Sequence, residues 1–190
     1  MRFILASASP RRLELLARLG VTPDAVTPAD IDETPRQREL PVPYAERMAG
    51  EKAAAAAAAQ PGCLIIAADT VVAAGRRILP KTEDEGDART TLQLLSGRRH
   101  RVLSAVTAIA PDGTARHRLS TSIVGFKRLS DEELDAYLAT GEWRGKAGAY
   151  AIQGSAEALI RFLSGSHSGV MGLPLYETRA LLRASGYPLG

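Results

Sequence analysis

Cysteine is nearly absent from these 190 residues. Cys63 stands alone, so no disulfide and no cysteine-built zinc site can form within one chain. Beside the apolar run Leu64-Ile65-Ile66 it reads as a small buried residue. Histidine is scarce too: His100, His117 and His167 lie far apart and match no zinc-ligand spacing. Aromatic residues make up 5% of the chain, and no dense Lys/Arg block interleaves with them. The net charge of +3 therefore suits an anionic ligand and gives no sign of nucleic-acid binding. No apolar run is long enough to span a bilayer and the first residues carry no long apolar signal core, so no membrane is expected and the cytoplasm is. The glycines form neither G-x-x-x-x-G-K-S/T nor G-x-G-x-x-G after a strand, which excludes a Walker or Rossmann loop.

What is present begins at Phe3-Ile4-Leu5-Ala6-Ser7-Ala8-Ser9-Pro10-Arg11-Arg12. A short apolar strand runs into hydroxyls, a proline and two guanidinium forks, and a helix follows. Ser9 is placed as its N-cap, Pro10 suits the first helical position, and Gly20 ends the apolar repeat. Hydroxyls, free N–H groups and arginines gathered at a helix N-terminus beyond a strand form an anion site, above all for phosphate.

The hydrophobic fraction of 45% over 190 residues fits one domain, 1–190, or two small lobes sharing a core. Strands are predicted at Arg2–Ala6, Leu64–Ala68 leading into Val71–Ala73, Arg101–Ala110, Leu119–Lys127 and Ala158–Phe162. Helices are predicted at Pro10–Leu19, Pro43–Gln60, Gly86–Leu95, Asp131–Ala139 and Leu175–Ser185. Ser130-Asp-Glu-Glu133 is a capping box. The alanine run Ala53–Ala59 extends the helix bearing Glu51 and Lys52, because alanine is the best helix former. Alternating elements in the first half and two long adjacent strands in the second give a mixed-sheet α/β fold.

Five further segments are candidates for a site. Asp69-Thr70 follows Leu64–Ala68, within or just after a strand, where a carboxylate is costly unless paired, hydrogen-bonded or metal-bound. Asp32-Glu33 lies in the loop between the first two helices. Lys81 and Asp84 flank another loop, a setting for phosphate and metal. In Lys146-Ala-Gly-Ala-Tyr150-Ala-Ile-Gln153-Gly154 small residues bracket Tyr150 and Gln153, which suggests close backbone approach and side chains aimed into a pocket. The carboxamide of Gln153 has the donor–acceptor pair that reads a base edge. The glycine-rich run Gly165–Pro174 is predicted as a loop walling a cleft.

Together these segments resemble the Maf family of nucleoside triphosphate pyrophosphatases. The matching pieces are Ser7-Ala-Ser-Pro-Arg-Arg12, Asp32-Glu33, Glu51-Lys52, Ala68-Asp69-Thr70, Lys81, Ser96-Gly97, Gly141-Glu-Trp143, Lys146–Gly154 and Gly172-Leu-Pro174. They occur in family order along essentially the whole chain. The resemblance implies a long mixed β-sheet flanked by helices, two lobes with a central cleft as in inosine triphosphate pyrophosphatases, and commonly a homodimer. It implies hydrolysis of a nucleoside triphosphate to the monophosphate and pyrophosphate with a divalent cation, Mg²⁺ or Mn²⁺. Asp69 would be the proton acceptor; Ser7, Arg12, Lys52 and Lys81 would line the phosphate site; Glu33, with Asp69, would hold the metal. Arg11, Thr70 and Gln153 match the branch acting on dTTP and UTP, whereas the 7-methyl-GTP branch carries a bulky aromatic in place of Arg11.

Two positions depart from the family pattern. Lys81 is followed by Thr82 and preceded by Pro80 where the family has Lys-Pro, and His167–Met171 replaces a run ending in Val-Val. Two other functions share the phosphate site: a non-hydrolysing nucleotide sensor acting through a partner, for example in cell division, and the same hydrolysis on another base.

Overall fold

The structure, a computed structural model, describes residues 1–189. Its elements in chain order are β1 (Phe3–Ala6), α1 (Pro10–Ala17), β2 (Ala25–Val26), α2 (Pro41–Ala59), β3 (Leu64–Ala74), β4 (Arg77–Leu79), α3 (Glu85–Leu95), β5 (Arg99–Ile109), β6 (Ala115–Phe126), α4 (Asp131–Ala139), a 3-10 turn (Ser155–Leu159), β7 (Ile160–Ser164), α5 (His167–Met171) and α6 (Leu175–Ala184). One mixed sheet takes the order β2-β1-β3-β5-β6-β7, with β4 also on β3. β1 runs parallel to β2 and β3; all other pairs are antiparallel. The parallel neighbours are the ones joined through α1 and α2, because a parallel pair needs a crossover.

Side chains alternate across a strand, so β3 serves two layers. Ile65, Ala67 and Val71 face α2, whose Ala45, Ala49, Ala53 and Ala56 are buried against that side of the sheet. Small side chains let this helix lie close to the strands. Ile66, Ala68 and Val72 face the larger core, which includes Leu15, Leu92, Leu138, Trp143 and Leu181. Burying each Val, Leu or Ile side chain contributes about 1.5–3 kcal/mol, which is why the pattern fixes the register.

One edge of β3 shapes everything that follows. β5 pairs with β3 without a break from Ile65 to Ala73. On the other edge β1 pairs only as far as Ala67, and β4 starts at Val72. The edge between them, Ala68–Val71, is left open, and Asp69 and Thr70 sit in it.

The predicted elements are found, with four differences. Asp69-Thr70 lie within β3 and not just after it, because β5 holds the backbone through them. Residues Ser155–Leu159 form a 3-10 turn, so the last strand starts at Ile160 and not at Ala158. β6 begins at Ala115: a tight turn, with Gly113 at φ +85°, forces full pairing, and the charged residues Arg116 and Arg118 hid the alternation. The glycine-rich run expected as a loop contains α5, with Ser166 Oγ accepting from the Gly169 N–H at 2.9 Å. β2 and β4 are too short for any period to show. Gly20 does end α1, at φ +69°, with the Val21 N–H bonded to the Leu16 carbonyl. Among the described residues no helix is long and apolar enough to cross a membrane.

Candidate active site

The open edge of β3 leads into a cleft of about 320 Å³ lined by Arg11, Arg12, Asp69, Thr70, Lys81 and Gln153, among others. A second hollow of about 220 Å³, reaching Glu33 and Tyr44, shares Asp69, Thr70 and Lys81 with it. Asp69 and Thr70 point to opposite faces of the sheet, and both reach the cleft only because no strand covers the edge between them.

On the α2 face the site is ionic. Lys52 comes from α2, and its Nζ lies 2.7 Å from Asp69 Oδ1 and 2.9 Å from Glu33 Oε1. Lys52 and Asp69 are both buried, at 7% and 5% exposure, so neither charge is stable without the other. Lys81 Nζ lies 3.7 Å from Glu33 Oε2. Burial pushes the Glu33 carboxyl up, but its hydrogen bond to Lys52 and the charges of Lys52, Lys81 and Arg12 outweigh this and hold it below the ordinary range.

The loop carrying Glu33 has no regular structure, yet it is tied down. The Tyr44 hydroxyl donates to the Glu33 carbonyl at 2.7 Å. Arg47 donates to both Glu39 oxygens, at 2.7 and 2.6 Å, and to the Thr34 carbonyl at 3.2 Å. The fork–fork pair with Arg47, set against burial, draws the Glu39 carboxyl down to about 2. Sequence reasoning missed Tyr44, Arg47 and Glu39; the only signal was an i,i+4 pair, Arg47 and Glu51, on one face of α2.

On the other face the contacts are neutral or aimed at carbonyls. Arg12 donates through Nε to the Gly172 carbonyl at 2.8 Å and through Nη1 to Ser7 Oγ at 3.0 Å. Burial lowers the Arg12 pKa and the Asp69 charge pushes it back. Ser7 Oγ also accepts from the Ser9 N–H at 3.1 Å. The Ser9 side chain, expected as the cap of α1, makes no capping hydrogen bond. Arg11 Nε reaches the Met171 carbonyl at 3.4 Å. Thr70 Oγ1 lies 3.0 Å from Ser104 Oγ and 3.4 Å from the Gly172 carbonyl.

The Lys146–Gly154 segment approaches the sheet as its glycines suggested. Gly148 has φ +71°, and a Cβ there would lie 2.8 Å from Val72 Cγ1. The Tyr150 side chain only partly meets its expectation: its ring borders the cleft, but its hydroxyl turns into the core, 2.8 Å from His100 Nε2. Burial lowers His100 to about 4 and raises Tyr150. Gln153 is exposed at the cleft wall. Lys81 forms an isolated antiparallel bridge with Ala147, and the Gly145 N–H donates to the Thr82 carbonyl at 3.0 Å. The unusual Pro80-Lys81-Thr82 order is thereby pinned against the same segment.

A family model described as Maf-like protein matches residues 2–185. The chain belongs to the Maf-like family. It is 67% identical over 96% of its length, and 91% of the relative's, to a protein of Novosphingobium aromaticivorans named dTTP/UTP pyrophosphatase. Relatives of the same name from Zymomonas mobilis and Rhodospirillum rubrum are 63% and 59% identical, over 98% of this chain and 92% and 89% of theirs. Among solved structures, a nucleoside-triphosphatase / dITP/XTP pyrophosphatase from Mycobacterium abscessus matches with a TM-score of 0.43 and 21% identity, over 68% of this chain and 76% of that one.

In this Maf-like chain the fold brings Arg11, Arg12, Asp69, Thr70, Lys81 and Gln153, drawn from distant parts of the sequence, to one cleft; Ser7 and Lys52 are buried behind it against Arg12 and Asp69, and Glu33 lines the adjoining hollow. Asp84 is set apart: it caps α3 by accepting from the Asp87 N–H at 2.9 Å.

Proposed function

We propose that this chain hydrolyses dTTP and UTP to the monophosphate and pyrophosphate. The observation that carries the reading is the convergence of Asp69, Lys81, Arg11 and Arg12 on one cleft at an open strand edge, with Lys52 paired to Asp69 behind it. Water attacks the α-phosphorus, the bond to the bridging oxygen breaks, and pyrophosphate leaves. Arg12, Lys52 and Lys81 offset the charge that develops. Lys52 engages only Oδ1 of Asp69, which leaves Oδ2 to orient the water and accept its proton. Arg11, Thr70 and Gln153 face the base.

Glu33 and Asp69 would hold the divalent cation. No cluster of three or more His, Cys, Asp or Glu exists among the described residues. Two carboxylates suit a hard ion such as Mg²⁺, which takes its other ligands from phosphates and water. Bound there, the ion would add Lewis-acid stabilisation of the phosphate oxygens. A cytoplasmic homodimer clearing unwanted nucleotides from the pool completes the reading.

The test is pyrophosphate release with Mg²⁺ or Mn²⁺ across dTTP, UTP, CTP, 7-methyl-GTP, ITP and ATP. Release from dTTP and UTP, lost in Asp69→Asn, supports enzyme and branch together. Nucleotide bound with no release from any of the six would mean a sensor instead.

A further inference from the structure

Gln153 faces the base in the reading above, yet it cannot by itself tell uracil from cytosine. Its side chain is exposed at the cleft wall, and among the described residues no hydrogen bond holds its amide. A half-turn of that amide exchanges oxygen for NH₂, so it pairs as readily with the N3 and N4-amino edge of cytosine as with the N3–H and O4 edge of uracil or thymine. Discrimination needs a group whose polarity is fixed.

Thr70 is such a group, and the fixing residue is Ser104. Ser104 is fully buried on β5, directly opposite Thr70 in the register. Its hydroxyl lies 2.6 Å from the Gly169 carbonyl. A carbonyl only accepts, so the single Ser104 proton is committed there. The 3.0 Å contact between Ser104 Oγ and Thr70 Oγ1 must then be made with the Thr70 proton. The other acceptor near Thr70, the Gly172 carbonyl, is 3.4 Å away and already receives Arg12 Nε at 2.8 Å. Thr70 therefore presents only lone pairs to the cleft.

We propose that Ser104 is a positioning residue for base selection, acting by locking the Thr70 hydroxyl as a hydrogen-bond acceptor. A fixed acceptor takes the N3–H of uracil and thymine. Cytosine presents a lone pair at N3 and meets acceptor with acceptor, which is costly in a desolvated cleft. This inference rests on the pyrimidine nucleotide reading, and it assigns the selectivity to a buried hydroxyl relay and away from Gln153.

The experiment compares kcat/KM for UTP and CTP in the wild type, Ser104→Ala, Thr70→Val and the double variant, each checked for folding by thermal melting. Ser104→Ala frees the Thr70 hydroxyl to turn and donate, and the UTP-to-CTP ratio falls about ten-fold. Thr70→Val lowers the ratio as well. Adding Ser104→Ala to Thr70→Val then changes the ratio no further, because the relay has lost its last member. Equal losses on UTP and CTP in Ser104→Ala would make Ser104 merely structural and overturn the proposal. If Ser104→Ala does not fold, an unchanged ratio in Thr70→Val overturns it instead. A wild type that releases no pyrophosphate from UTP removes the functional reading, and this proposal with it.

Discussion

The two sides of β3 meet at the cleft with opposite chemistry. On the α2 side, Asp69 joins Lys52, Glu33 and Lys81 in a chain of alternating charge. On the α5 side, Thr70 joins Ser104 and the carbonyls of Gly169 and Gly172 in a neutral relay. The charged chain runs outward from a buried pair to the half-exposed Glu33 and Lys81 at its far end. The neutral relay is buried at its centre, where only fixed hydrogen bonds make polar groups affordable. A charged cluster with a half-exposed end leaves its lysines within reach of a polyanion, whereas a buried hydroxyl relay keeps its polarity. The first suits chemistry on phosphate and the second suits selection of a base.

The comparison breaks most completely at Asp69. Asp69→Asn keeps the volume and removes the carboxylate proposed as proton acceptor, so pyrophosphate release should fall about 10²–10⁴-fold while nucleotide binding, followed by calorimetry, persists. Near-normal turnover would take Asp69 out of the chemistry. Next comes Lys52→Met, which strands the buried Asp69 carboxylate. Urea unfolding should show a loss of about 3–5 kcal/mol, with most of it recovered in the Lys52→Met, Asp69→Asn double variant. No recovery would mean that Lys52 matters through packing and not through charge.

Two smaller effects sharpen the contrast. His100 stays neutral in the core beside Tyr150, at about 4 against an ordinary 6.5. Between these values the unfolded chain binds the extra proton, so stability rises with pH through that window and is lost as pH falls. His100→Gln should flatten the slope of unfolding free energy between pH 6.5 and pH 4. Glu39 behaves in the usual carboxylate sense: its pKa falls from 4.5 to about 2, so its contribution is present above 4.5 and lost as pH drops towards 2. Glu39→Gln should remove that acid-side loss and, by loosening the Arg47 grip on the Glu33 loop, raise the Mg²⁺ concentration needed for half-maximal activity several-fold. An unchanged Mg²⁺ requirement would show that the Glu39–Arg47 pair does not hold the loop.

Much of the fold was legible in the sequence because periodicity and capping are local. The helix begun by Pro10 and stopped at Gly20, the alanine helix α2 and the capping box at Ser130 follow from neighbouring residues alone. β2 and β4 were not legible, being two and three residues long, and neither was α5, hidden by its glycine. At the site, the motif residues themselves were readable. Tyr44, Arg47 and Glu39 were not, since a charged helix face usually points to solvent and nothing local says that it grips a loop. Ser104 was invisible for a similar reason. Inside an apolar strand it is one small polar residue, and only pairing with Thr70 across the ladder gives it a task.

Local sequence was enough for the longer helices and strands, their apolar faces and the set of charged and hydroxyl side chains proposed for phosphate chemistry. It was enough because burial and backbone propensity act over a few residues. The tertiary structure alone decided that β1 ends before Asp69 and β4 starts after Thr70. That gap turns two adjacent residues on opposite faces into partners at one cleft. It also decided which hydroxyl gives its proton to which, because hydrogen-bond polarity is fixed by groups that meet only when distant segments pack.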